Sequence, residues 1–130
     1  MDLFSAHGHC ELSLQDNVLV IDAYGPWNVE FINHLHQLLI NNVRSKSITE
    51  FAVLLRPHGE ALLVSQAIPL HVEFLKHSSA KAVAIDLSDC TTKSMTKDLC
   101  HLVYGQAGLR HQVFDDGESA QSWLVEQLAR

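Results

Sequence analysis

Nothing in this 130-residue sequence approaches the roughly 20 consecutive apolar residues that span a bilayer, so no membrane-crossing segment is expected. Basic runs are missing too. The nine Lys and Arg residues are scattered among fifteen Asp and Glu, and the net charge is −6. Such a chain offers no row of cations to displace phosphate counterions, which speaks against nucleic acid and against anionic membrane surfaces. Cysteine is scarce, and Cys10, Cys90 and Cys100 share no repeating spacing. Three such thiols make no disulfide framework and point to a reducing, cytoplasmic setting. The opening MDLFSAHGHC has neither a basic region nor an apolar core, so a secretory signal is not expected there. A catalytic motif, a linker, a low-complexity tract and an internal repeat are also missing.

What is present is the composition of a globular domain. The hydrophobic fraction of 47% against 18% charged is enough to build a core at this length. CELSLQ (10–15) alternates apolar and polar, as a strand does with one dry and one wet face. Asp16 and Asn17 form a two-residue turn signal. NVLVIDAY then holds four consecutive apolar residues, the pattern of a strand buried on both faces. These predict an N-terminal β-hairpin whose second strand lies inside a sheet. Pro26 suits the first turn of a helix carrying Trp27, Phe31, Leu35, Leu38 and Leu39 on one stripe, ending near residues 44–47. FAVLLR (51–56) reads as a strand stopped by Pro57. The stretch 60–80 is helical in composition but interrupted by Pro69, predicting two short helices or one kinked helix. AVAIDL (82–87) is a third buried strand. Met95, Leu99, Leu102 and Val103 mark a helix with Gly105 as its C-terminal cap. RHQVF (110–114) is a last strand. Strand–helix repeats after a hairpin imply an α/β fold with a mostly parallel, mixed sheet of four to five strands, successive strands lying side by side.

The closing stretch VFDDGESAQSWL (113–124) raises the question of whether Asp115 and Asp116 are a catalytic or metal-binding pair. Asp115 stands three residues before Glu118, the spacing of a helix capping box, and both charges favour the positive helix end. Capping is the preferred reading, with Ala120, Trp123, Leu124 and Leu128 as the buried stripe.

That ending resembles the last strand and helix of the SpoIIAA-like proteins, also described as STAS/SEC14-like. The stretch HGHCELSLQDNVLVIDAYGPWNVE (7–30) is similar to the same family's hairpin and its glycine-proline-aromatic-asparagine turn, here Gly25, Pro26, Trp27 and Asn28. The two matches bracket nearly the whole chain. The resemblance implies a superhelical (βα) domain, placed at 10–130 behind a flexible segment 1–9. It supplies no established activity. Its STAS anti-sigma-factor-antagonist relatives bind a protein partner and are switched by phosphorylating a serine at a helix start. The matching region here reads Arg56, Pro57, His58, Gly59 and Glu60, without the aspartate-serine-serine-glycine run, and Ser65 falls inside a predicted helix. The phosphoswitch is therefore not carried over.

Several residue groups carry potential chemistry. His7, His9 and Cys10 form the tightest metal-like cluster but lack a second ligand pair, and His34 and His36 point to different helix faces, so no metal site is expected. Cys100 reads as core. Cys90 stands near a helix start without a histidine beside it in sequence, so no catalytic residue is named. Ligands of open α/β sheets gather outside the carboxyl ends of the strands. Those ends carry Asp22 and Tyr24, Arg56 and His58, then Asp86, Ser88 and Asp89. A candidate ligand-binding set follows: Tyr24, Trp27, Arg56, His58, Asp86 and Ser88. An enzyme would need Arg56, His58 and Asp86 to converge on one point. Trp27 and the apolar ALLVSQAIPL (61–70) could instead cover a pocket for a lipid-like ligand. The leading expectation is a non-enzymatic, cytoplasmic binding or regulatory module without cofactor. It would act through a protein partner or self-association as a homodimer. A carrier or sensor of a small apolar ligand and a strand-end enzyme are the alternatives.

Overall fold

The computed structural model describes residues 8–45 and 50–130. The elements run β1 (His9–Gln15), β2 (Val18–Tyr24), α1 (Val29–Ser45), β3 (Ala52–His58), α2 (Ala67–Lys76), β4 (Val83–Asp86), α3 (Lys93–Ala107), β5 (His111–Phe114) and α4 (Gly117–Leu128). The five strands form one mixed sheet in the order β1-β2-β3-β4-β5, as expected from short right-handed crossovers. β1 is antiparallel to β2 and every other pairing is parallel. Asp16 and Asn17 make the hairpin turn with φ of 50° and 68°, the conformation that asparagine and aspartate tolerate and strand twist favours. The segment expected to be flexible, 1–9, gives up its last residue to the sheet, since His9 already pairs with Tyr24. Residues 1–7, including His7, lie outside the described residues.

Each strand sends alternate side chains to opposite faces. Leu19, Ile21, Ala23, Val83 and Ile85 face the layer of α1, α2 and α3. Val20, Ala52, Leu54, Ala82 and Ala84 face α4, meeting Ala120 and Leu124. Trp123 is half-buried, its ring 5.8 Å from that of Phe114, and Leu128 also packs on this side.

Several expected boundaries move, each for a local reason. Trp27 lies before α1 rather than on it. Its N–H donates to the Leu62 carbonyl and its own carbonyl accepts from Val64, which ties it to the 62–64 segment. Asn28 caps α1, its side chain accepting from the Phe31 N–H at 2.9 Å, so Pro26 sits outside the first turn. A Cβ on Gly25 would collide with the Glu60 carbonyl oxygen, which is why the chain has glycine at this crossing.

Pro57 does not stop β3, which runs on to His58. The N–H groups of Val53 and Gly59 both point toward the β4 side. Alternation turns the Pro57 nitrogen the same way, past the last β3–β4 pair at Leu55 and Ile85, so no ladder bond is lost. Pro69 does not split a helix: 60–64 is loop, 65–66 turn into α2, and Pro69 is the third residue of α2, where no intrahelical N–H bond is required.

α3 buries Thr96, Cys100, Val103 and Tyr104, while Met95 and Leu102 are exposed; the stripe is rotated from the one expected. Gly108, with φ of 74°, ends α3 and Gly105 lies within it. α4 is capped by Asp116, whose carboxylate accepts from the Ser119 N–H at 2.7 Å, and not by Asp115. Phe114 is still held in the sheet opposite Asp86, so the cap falls one residue later and Glu118 loses its capping-box position.

Candidate functional site

The carboxyl ends of β2 and β3 bring four charged groups together on the α4 side of the sheet. Asp22 and Arg56 are register partners, and Arg56 makes a bidentate pair with the Asp22 carboxylate at 2.8 and 2.7 Å. His58 Nε2 meets Asp22 Oδ1 at 2.8 Å, and His58 Nδ1 meets Asp89. Asp89 is held there because the chain after β4 doubles back onto the end of β3. The Gly59 N–H donates to the Asp89 carbonyl, and the Thr91 N–H to the Gly59 carbonyl. Partial burial alone would raise the Asp22 carboxyl, but hydrogen bonds from Arg56 and His58 outweigh it and hold its pKa below the usual value. For His58, burial works against the charged form, yet the bonds to Asp89 and Asp22 win and raise its pKa. A protonated imidazole donates from both nitrogens at once, which is what two flanking carboxylates ask of it.

Tyr24 extends the cluster with its ring stacked on His58 at 4.5 Å, and His9 lies beyond it at 5.8 Å from Tyr24. The register explains the order: His9, Tyr24 and His58 form one row across three strands, and Glu11, Asp22 and Arg56 the next. Nothing in the sequence put His9, read there with His7 and Cys10, or Glu11 beside this cluster, because their place depends on hairpin register.

The expected set divides. Asp86 shares the face with Arg56 and His58 but turns to local work. It is buried, accepts from the Ser88 N–H at 3.0 Å and lies under the start of α4, close enough that a Cβ on Gly117 would stand 3.1 Å from its Oδ2. Ser88 is exposed. Arg56 and His58 thus converge on Asp22, not on Asp86. Both oxygens of Asp22 and both nitrogens of His58 are engaged, leaving neither as a free base. Among the described residues, no three of His, Cys, Asp and Glu form a metal-holding group. Cys90 is buried with its thiol against the hydroxyls of Thr92 and Thr96, and burial raises the Cys100 thiol to about 12. Neither thiol suits nucleophilic work.

Trp27 belongs to the opposite face, and there the structure holds a cavity of about 470 Å³ between the sheet and the α1–α3 layer. Its walls are almost wholly aliphatic and aromatic. At one end are Ala23, Trp27 and Leu63; at the other, Phe51, Ala80 and Val43. Lining residues on α1 run from Phe31 to Arg44, which at 1.5 Å per residue makes the cavity about 20 Å long. The exposed lining residues, Arg44, His77 and Ser79, gather where α1 and α2 end and mark the opening.

Trp27 lines this space, and its buried indole N–H, closed off from it, has no hydrogen-bond partner among the described residues. His71 also lines the space, and its Nδ1 lies 2.9 Å from His36 Nε2 with the rings stacked; His36 stacks in turn on Phe74 at 3.8 Å. Burial lowers the pKa of both histidines, His36 to about 4, with the neighbouring His36 adding to the effect at His71. They form a neutral pair that shares one proton between facing nitrogens. Sequence reasoning missed this pair because the 35-residue separation hides it.

No family model matches the sequence, and no curated protein matches it either. By structure, the chain is similar to an uncharacterized protein from the DUF3478 family with a SpoIIAA-like fold, from Shewanella loihica PV-4. The TM-score is 0.63 at 16% identity, covering 95% of this chain and 98% of that one. The fold of this chain is accordingly SpoIIAA-like. No helix among the described residues is long and apolar enough to cross a membrane.

Proposed function

We propose that the chain is a non-enzymatic binding module of the SpoIIAA-like family, one domain from the hairpin onward. Its ligand would be an elongated apolar small molecule held between the sheet and α1–α3. The observation that carries this reading is the 470 Å³ apolar cavity itself, lined by Trp27, Phe31 and Leu35. Its size falls within the range of small-molecule sites. A ligand with a hydrocarbon body answers its aliphatic and aromatic lining. The strand-end cluster supports no competing catalytic reading, because its members satisfy one another. Three unpaired thiols fit a cytoplasmic setting.

Native mass spectrometry of gently purified protein tests the proposal, with a bound species of acyl-lipid mass as the expected result. Leu35→Trp, which fills the cavity, should lose that species. Absence of any bound species, together with no saturable binding of a fluorescent fatty acid, would remove the reading.

A further inference from the structure

The free edge of β1 is built to be paired. The Ala52 N–H donates to the Asn17 carbonyl, so the odd-numbered residues of β2 bond toward β3 and the even-numbered ones toward β1. Val18, Val20, Asp22 and Tyr24 therefore bond to Gln15, Ser13, Glu11 and His9. What remains are the N–H and C=O groups of Cys10, Leu12 and Leu14, which point outward, and among the described residues nothing bonds them. Their side chains, on the α1–α3 side, are only half-buried. Edge strands are ordinarily blunted by lysine, proline, a bulge or shortness. β1 is seven residues of unbroken register with none of these, and Glu11 is its one acidic residue. The opposite edge, β5, is four residues long.

We infer that β1 pairs antiparallel with β1 of a second copy of this chain, Leu12 facing Leu12 across a two-fold axis, to give a continuous ten-stranded sheet. The register follows from the pattern. With Leu12 on the axis, Cys10 meets Leu14 of the second copy, and every outward donor and acceptor of 10, 12 and 14 finds its counterpart. Half-buried apolar side chains are then joined on one face. On the other, His9 meets Gln15 and Glu11 meets Ser13, with no like charges opposed. Centring on Glu11 would set two carboxylates against each other and leave Leu14 unpaired. Centring on Ser13 would push Cys10 against Asp16 in the turn, which carries φ of 50°. The net charge of −6 per copy opposes association but is screened beyond about 8 Å at physiological salt.

Sedimentation equilibrium of the full chain through the micromolar range should give a species of twice 14.5 kDa. Hydrogen exchange should show the amides of Cys10, Leu12 and Leu14 protected in that species and released on dilution. The amides of Glu11, Ser13 and Gln15 stay protected in both states and report that the fold is intact. Ser13→Glu opposes two pairs of carboxylates and should weaken the dimer about tenfold. Adding Glu11→Lys to Ser13→Glu should restore it. A monomer at every concentration overturns the inference and leaves the edge to a strand from another protein. So does a dimer in which those three amides exchange freely, or one indifferent to Ser13→Glu.

Discussion

Adjacent residues of the same strands meet two different fates. On the α4 side, Ala52, Ala82, Ala84 and Ala120 are small, so α4 settles close onto β3 and β4 and Leu54 and Leu124 fill the remaining space. On the other side, Val53, Leu55, Val83 and Ile85 are large and hold α1, α2 and α3 away from the sheet, leaving a volume they do not occupy. Polar groups follow the opposite rule. Where reactive side chains are dense, at Asp22, Arg56, His58 and Asp89, each is spent on its neighbours. Where they are sparse, space is left unfilled. The difference teaches that a binding site is marked by unmet demand, of space or of hydrogen bonding, more than by the presence of reactive residue types.

The largest expected effects test the packing contrast. Leu54→Ala on the α4 side removes a side chain in full contact and should cost about 3 kcal/mol in urea denaturation. Leu55→Ala, one residue on and against the cavity, should cost only about 1 kcal/mol, because that side chain already lacks partners on one side. Equal losses would mean that the cavity is closed in solution. Enlarging substitutions give the mirror image. Ala84→Val should destabilise by about 1–3 kcal/mol through overpacking. Its neighbour Val83→Ile adds a methylene toward empty space and should be neutral or stabilising by up to about 0.8 kcal/mol.

The polar side of the comparison is sharpened by Asp22→Asn. Asparagine keeps one acceptor oxygen for Arg56 and His58 but removes the charge and sets an amide donor against the Arg56 guanidinium. Arg56 is partly exposed and rehydrates, so the cost should be modest, about 1–2 kcal/mol. The telling measurement is the His58 titration by NMR: its pKa should fall, with only Asp89 left to favour the imidazolium. An unchanged titration would show that the pairing with Asp22 is not kept in water.

Much of this architecture was legible because runs such as NVLVIDAY and AVAIDL announce buried strands whatever surrounds them. The order of the sheet followed from connection lengths and handedness alone. Boundaries were less legible where a neighbour decides them. Pro57 is tolerated only because β4 has already ended beside it, and α4 starts at Asp116 only because Phe114 is still paired. The strand-end rule put Asp22, Arg56 and His58 in one place, yet could not foresee that they would close on each other and leave Asp86 to Ser88. The cavity was the least legible feature. Leu35, Leu55 and Val103 are the same letters in a filled core as in a wall, and only the spacing of two layers in three dimensions tells them apart. Trp27 lines the cavity, yet nothing in its sequence context showed the volume beside it.

The smallest effect separates the two faces by pH. For His58, the folded-state pKa is raised, so its contribution is complete below the unfolded value of about 6.5 and is lost as pH rises through the folded value. Asp22 is lowered, so its contribution is present above about 4 and is lost as pH falls through its folded value. The network is therefore firmest between these limits. His36 and His71 behave in the opposite sense. Both are depressed by burial, so acid below about 6.5 protonates the unfolded chain first and draws stability away. Two imidazoles with lowered pKa oppose one with a raised pKa, and the wild-type protein should lose stability between about pH 7 and about pH 5. His58→Gln should make that loss steeper. Replacing the cavity pair, His36→Phe with His71→Leu, should reverse its sign, so that denaturation midpoints rise on mild acidification. If the double variant keeps the wild-type slope, the neutral pair is not what that face contributes, and the contrast drawn between the two faces fails at its most titratable point.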